Sequence, residues 1–240
     1  APGRREEIAG WLEEHDLHVC LGIGFDFLSE DDDEIRRGTD RALEAVETLA
    51  AGMRTPVCST GIRRDYHHYS RDYPVAKQLD RLSETMAPLA KACASAGCPL
   101  AVHTVTHFGS DLAELCSRVP GLGILLDTAN CFLIGEPPLL AAEACAPYTL
   151  ATRTDAVRPH FKDHYVTPSF DPLGIRARGA VPGAGDASLR ETYRLLLDKA
   201  PAPDKLVMEL EIDPVWDEAG KMRDQRDVLR EALAFVRGLP

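Results

Sequence analysis

Three short runs in this sequence close on side chains that can hold a cation or move a proton. Leu122-Gly-Ile-Leu-Leu leads into Asp127-Thr-Ala-Asn130, Arg158-Pro leads into His160-Phe-Lys162-Asp163, and Lys205-Leu-Val-Met leads into Glu209-Leu-Glu211. Carboxylate oxygens and imidazole nitrogens gathered at one place bind divalent cations. A carboxylate in the same place can also take a proton from carbon. Glu209 and Glu211 share one strand face by period-two alternation, as do His160 and Lys162. Glu209, the first acid after its apolar run, is the stronger ligand candidate of the two.

Side chains so far apart in sequence meet only if the apolar runs are strands laid side by side. The pattern predicts strands over 17–23, 55–59, 100–104, 122–126, 157–162, 175–181 and 206–211. Between them lie stretches of helical spacing, such as Leu79, Leu82, Met86, Leu89 and Cys93, which closes at Gly97. Further helices are expected over 4–14, with Ile8, Trp11 and Leu12 on one face, and over 34–51, 110–119, 138–147, 189–197 and 222–236. Ser110-Asp111 is a capping signal for the third of these, and the acidic run from Glu30 to Glu34 suits a helix N-terminus. Strands alternating with helices favour a parallel sheet with crossover helices. In a β/α barrel the strand ends converge on the C-terminal face, where active sites sit. The chain starts with a helix where an eight-stranded barrel starts with a strand, so the barrel expected is one lacking its first strand or incomplete there. With no low-complexity linker, residues 1–240 read as a single domain.

Composition narrows the function. A chain of 240 residues with 45% apolar and 27% charged residues is ordinary for a globular protein. The net charge of −11 argues against a general nucleic-acid-binding surface, which needs clustered Lys and Arg. No apolar run reaches the length of a membrane span, and the first residues lack the apolar core of a secretory signal. The seven cysteines are odd in number, form no CxxC and fall in apolar patterns. That suits reduced core thiols in a cytoplasmic protein better than a disulfide framework.

The segments from Pro99 to Pro214 resemble the xylose-isomerase-like barrel superfamily, which holds sugar isomerases, epimerases, inosose dehydratases and apurinic-site endonucleases. The resemblance is carried by Leu-Asp127-Thr-Ala-Asn130, His160-Phe-Lys162-Asp163, Pro182-Gly-Ala-Gly185-Asp186 and Val-Met-Glu209-Leu-Glu211-Ile-Asp-Pro214 in this order. It implies a (β/α)8-type barrel whose strand ends give a Glu, an Asp, a His and a Glu to one divalent metal. The last three map onto Asp127, His160 and Glu209. The first falls in Leu-Ala-Val-His103-Thr-Val-Thr-His107, so His103 stands where the family has Glu. A two-His, two-carboxylate set suits Zn, Mn, Fe or Co more than Mg, which prefers oxygen. Losing one carboxylate also lowers the attraction for a hard cation.

The function expected from this resemblance is a metal-assisted isomerase or epimerase of a small polyhydroxylated carbonyl compound. Glu209 would move the proton on carbon, with His103 as its partner. Asn130, Lys162, Arg178 and His67 are candidate substrate groups. Several candidates have a plainer reading: Asp127 a turn cap, Asn130 an ordinary turn residue, His67 part of a solvated loop with Arg63, Arg64 and His68. The ending Glu209-Leu-Glu211-Ile-Asp-Pro214 resembles the inosose dehydratase branch and keeps a lyase open. The His103 replacement keeps open a metal-free homologue that only binds. A homo-oligomer is compatible with each reading; nucleic acid and membrane are not expected partners.

Overall fold

The computed structural model describes residues 2–50, 55, 57–150, 160–170, 173–201, 203–205 and 209–240. Helix α1 (Pro2–Glu14) precedes β1 (Leu21–Gly22), α2 (Asp32–Ala45), β2 (Cys58–Thr60), α3 (Val75–Ser95), β3 (Leu100–His103), α4 (Gly109–Arg118) and β4 (Leu122–Leu125). Then come α5 (Pro138–Cys145), β5 (His160–Phe161), β6 (His164–Phe170), β7 (Leu173–Gly179), α6 (Leu189–Lys199), β8 (Glu209–Leu210) and α7 (Gln225–Arg237). Strands β1 to β4 form a parallel sheet in chain order, and β5 pairs with β8, also parallel. A parallel bridge from Ile124 to Thr149 carries the sheet past β4.

Both faces of this sheet are covered, which is why its strands read as near-continuous apolar runs. Cys58, Leu100, Val102, Leu122 and Ile124 pack outward with α3 and α4 residues such as Leu82, Met86, Leu89, Leu112 and Leu115. The alternate positions Val57, Ala101 and Leu125 turn inward with Cys20 and Leu150. One inward row is Gly22, Ser59, Ala101 and Gly123, paired in register across four strands. A side chain at Gly123 would collide with Leu150, so glycine there makes room for it. The small residues leave the interior open below the strand ends.

Several expectations shift. Only Leu12 of the α1 face is buried; Ile8 and Trp11 are exposed. Phe108, not Ser110 or Asp111, is the N-cap of α4, and Asp111 reaches back to accept from the Phe108 amide at 3.0 Å. The expected strand over 175–181 is not a barrel strand. It is β7, one arm of an antiparallel hairpin with β6, paired from His164–Gly179 to Phe170–Leu173. An antiparallel arm carries the same β-branched residues as a barrel strand, so the sequence pattern does not separate the two. Residues 157–159 and 206–208, expected to begin the strands that end as β5 and β8, lie outside the described residues. All seven cysteines are free thiols, six of them buried. No described helix is long and apolar enough to cross a membrane.

Candidate active site

Asp127 lies just beyond β4 and is fully buried. Its two oxygens divide the work. Oδ1 accepts from the amides of Ala129 and Asn130, both at 3.0 Å, and so opens the 3-10 turn Asn130–Ile134. Oδ2 faces His103 Nε2 at 3.4 Å and Lys162 Nζ at 3.4 Å. One oxygen thus caps the turn and the other faces the two side chains. His103, the last residue of β3, is a neighbour across the β3–β4 ladder, where it pairs with Leu125. Asn130 donates Nδ2 to the Thr104 carbonyl at 3.0 Å and sits 3.4 Å from His103 Nε2.

Two threonines align these strand ends. The Thr104 hydroxyl accepts from the Asp127 amide at 2.7 Å and donates to the Asp127 carbonyl at 3.3 Å. The Thr128 hydroxyl repeats the pattern one strand on, accepting from the Lys162 amide at 3.0 Å and donating to its carbonyl at 2.7 Å. Each stitches a strand end to the next where the ladder has run out, fixing His103, Asp127 and Lys162 in sequence around the sheet.

Lys162 is 8% exposed, and its ammonium also meets Glu211 Oε1 at 3.0 Å. Burial pulls the lysine pKa down, but Asp127 and Glu211 outweigh it and hold the ammonium above the usual lysine range. Glu209 and His103 line one cavity of about 420 Å³, which runs down past Gly22, Ser59 and Val57. His160 and Glu209 are register partners of β5 and β8; the His160 side chain lies outside the described residues.

His67 and Arg178 lie elsewhere. His67 Nδ1 accepts from the Tyr69 amide at 3.2 Å within its own loop. That loop folds over the ends of β3 and β4: Tyr69 donates to the Ile134 carbonyl at 2.9 Å, and His68 Nδ1 meets Asp111 Oδ2 at 2.7 Å while stacking on Phe108. Arg178 is exposed on β7, its guanidinium 5.3 Å from the Tyr165 ring centroid.

Sequence reasoning missed the structural role of Asp163. Its buried carboxylate accepts from the amides of His164, Gly183, Gly185 and Ala187 at 2.8–3.0 Å, so it clamps the turn after the hairpin. Burial pushes its pKa up, against the pull of those amides. Gly183 takes a positive φ of 90°, and a Cβ on Gly185 would strike Asp163 itself. An acid followed some twenty residues later by Pro-Gly-Ala-Gly was the available signal.

His107, four residues beyond His103 in the loop after β3, is a core residue: 3% exposed, with Nε2 2.8 Å from Gln78 Oε1. Burial pulls its pKa from 6.5 down to about 4. The unfolded chain therefore binds this proton first as pH falls, so stability present above about pH 6.5 is lost towards pH 4, by about 2–3 kcal/mol. His107→Gln is expected to lose that part of the acid slope. Urea unfolding of both proteins at neutral pH and near pH 4.5 measures it, and an unchanged slope would contradict the assignment.

A family model described as xylose isomerase-like TIM barrel matches residues 1–237. The chain belongs to this family. Among similar solved structures, a xylose isomerase domain protein from Planctomyces limnophilus has a TM-score of 0.67 at 20% identity, covering 100% of this chain and 82% of that one. The IOLI protein with a bound zinc atom gives 0.69 at 12% identity, covering 98% and 81%. A 3-keto-D-glucoside 4-epimerase from E. coli, in its apo form, gives 0.63 at 13% identity, covering 98% and 84%. The comparison with curated proteins finds no match. At these identities the structures show the barrel fold alone, and its parallel strands set His103, Asp127 and Lys162 at their C-terminal ends.

The residues bear on a metal as follows. Two ligands of one zinc-like ion, each about 2.0–2.2 Å from it, stand roughly 3.0–3.5 Å apart at near-tetrahedral angles. The 3.4 Å between His103 Nε2 and Asp127 Oδ2 fits that spacing. Among the described residues no group of three His, Cys, Asp or Glu side chains is already gathered as a site. The pair fits the ion, and Glu209 lines the same cavity as His103.

Proposed function

We propose that this xylose isomerase-like barrel is a metal-assisted isomerase or epimerase of a small polyhydroxylated carbonyl compound. The observation that carries it is the meeting of His103, Asp127 and Lys162 at the strand ends, beside a cavity of about 420 Å³ walled by His103 and Glu209. The IOLI structure with zinc and the 3-keto-D-glucoside 4-epimerase share the fold and support the reading.

Asp127 and His103 would hold the cation in this reading, with Glu209 and His160 as its further ligands. Manganese, cobalt, zinc or iron suits their mixed oxygen and nitrogen donors better than magnesium. A cation held there would supply Lewis-acid stabilisation of the negative charge that develops on a substrate oxygen as the proton leaves. As an isomerase, Glu209 would take the proton from the carbon beside the carbonyl and return it to the neighbouring carbon; as an epimerase, Glu209 would take it from one face and His103, its partner across the cavity wall, would supply a proton to the other. His103 orients the cation-side oxygen, held in turn by Asn130. Lys162 binds a substrate oxygen. His67 and Arg178 act from the rim, on the β2 loop and the β6–β7 hairpin, against outlying hydroxyl or phosphate groups. A dehydratase begins with the same proton removal and then expels hydroxide; the Glu209-Leu-Glu211-Ile-Asp-Pro214 ending favours it as the second reading. The test is wash-in of solvent deuterium at carbon for ketoses, their phosphates and cyclic polyol ketones, with each metal added in turn.

A further inference from the structure

The protein carries its own cation beside the carboxylate that would hold the metal. Asp127 Oδ2 faces His103 Nε2 at 3.4 Å, an atom that can share a metal with it. The same oxygen faces the Lys162 ammonium at 3.4 Å, which cannot. Lys162 has a second partner, Glu211, at 3.0 Å. The lysine side chain is 10% exposed and that of Glu211 is 44% exposed, so the ammonium spans from a buried acid to one at the solvent edge. A divalent ion between Asp127 and His103 would stand a few ångström from this ammonium. In a site this poorly hydrated, like charges so close repel strongly.

We propose that Lys162 is a built-in competitor for the cation at Asp127, held in reserve by Glu211, so that the site takes its metal reversibly. This rests on the metal role proposed for Asp127 and His103. Without metal, the ammonium neutralises Asp127 and keeps the buried carboxylate from standing alone. As an ion enters, Glu211 retains the ammonium and draws it off Asp127, so the lysine is never left buried without a counter-charge. Glu211 is thus a positioning residue that acts on the metal through Lys162. His103 in place of a carboxylate works in the same direction, since it too lowers the negative charge around the ion. Strand geometry makes the arrangement stiff: Thr128 clamps both the amide and the carbonyl of Lys162, so the ammonium can swing only by its side chain.

The test is calorimetric titration of manganese(II) and zinc(II) into the metal-free full chain and its variants, with thermal unfolding as a check on folding. Lys162→Met should bind each ion about 10–100-fold more tightly than wild type, the range over which groups behind metal ligands act. Lys162→Gln serves if the methionine variant does not fold, and Lys162→Arg, which keeps the charge, should stay close to wild type. Glu211→Gln should weaken binding in the wild-type background and have a much smaller effect in the Lys162→Met background, because its action runs through the lysine. Equal or weaker binding by a folded Lys162→Met, while Asp127→Asn abolishes wild-type binding, overturns the competitor and leaves the metal site standing. An equal effect of Glu211→Gln in both backgrounds overturns the part given to Glu211. Failure of wild type and Lys162→Met alike to bind either ion overturns the competitor and the metal site together.

Discussion

Glu209→Gln should fold as wild type does and exchange the substrate's carbon-bound proton with solvent about 10²–10⁴-fold more slowly, the usual cost of removing a general base. Glutamine keeps the size of the side chain and one oxygen that can face a cation, but it cannot take the proton. Glu209 is suited to the base role by its place: it begins β8, is exposed, and walls the cavity that His103 also lines. Asp127 is less suited, because its Oδ1 is committed to two amides and its Oδ2 faces a lysine and a histidine. The kinetic split is informative. If Glu209 served only as a ligand, the variant would bind metal weakly and recover as metal is raised. Loss of exchange at saturating metal assigns the base. Wild-type exchange by the variant moves the base to Glu211 or His103.

Asp163→Ala should cost about 3 kcal/mol or more, because it removes the acceptor of four amides at once, that of Ala187 being buried. For a chain of this size that is a fall in the thermal midpoint of roughly 6–12 °C. Four amides converge on this carboxylate, three of them from residues 183–187. Asp163→Asn should cost less, since one oxygen still accepts. Differential scanning calorimetry of the three proteins checks the order. An alanine variant as stable as wild type would show that the turn holds itself. A stable, folded Asp163→Ala with lost activity would instead tie the turn directly to substrate.

Much of this architecture was legible before any coordinates. Strands β3 and β4 fall within one residue of their expected ends, because both faces of a covered parallel sheet demand apolar residues and the run stops where the chain leaves the core. Asp127 was legible for the same reason, as an acid at such a stop; His103 was legible only through the family motif, where it stands in place of Glu. The β6–β7 hairpin was not. Val166, Thr167 and Ile175 give it the composition of any strand, and nothing local records that its partner is the adjacent arm and not a barrel neighbour. Arg178 therefore moved from an expected barrel strand to the rim. The division of labour between the two oxygens of Asp127, and the reach of Lys162 to both Asp127 and Glu211, depend on side-chain paths that no spacing encodes. The role of Asp163 was half visible, as an acid and a distant glycine-rich turn whose meeting only the fold supplies.

The most direct test of the proposed function is proton exchange by the wild-type protein, read by NMR in deuterium oxide. Metal-free protein is supplied in turn with manganese, cobalt, zinc, iron or magnesium and offered ketoses, sugar phosphates and cyclic polyol ketones. The account predicts deuterium at the carbon beside the carbonyl of at least one such compound, dependent on added metal and lost in Asp127→Asn. Metal-independent exchange, or none with any compound under any metal while the protein remains folded, would contradict it.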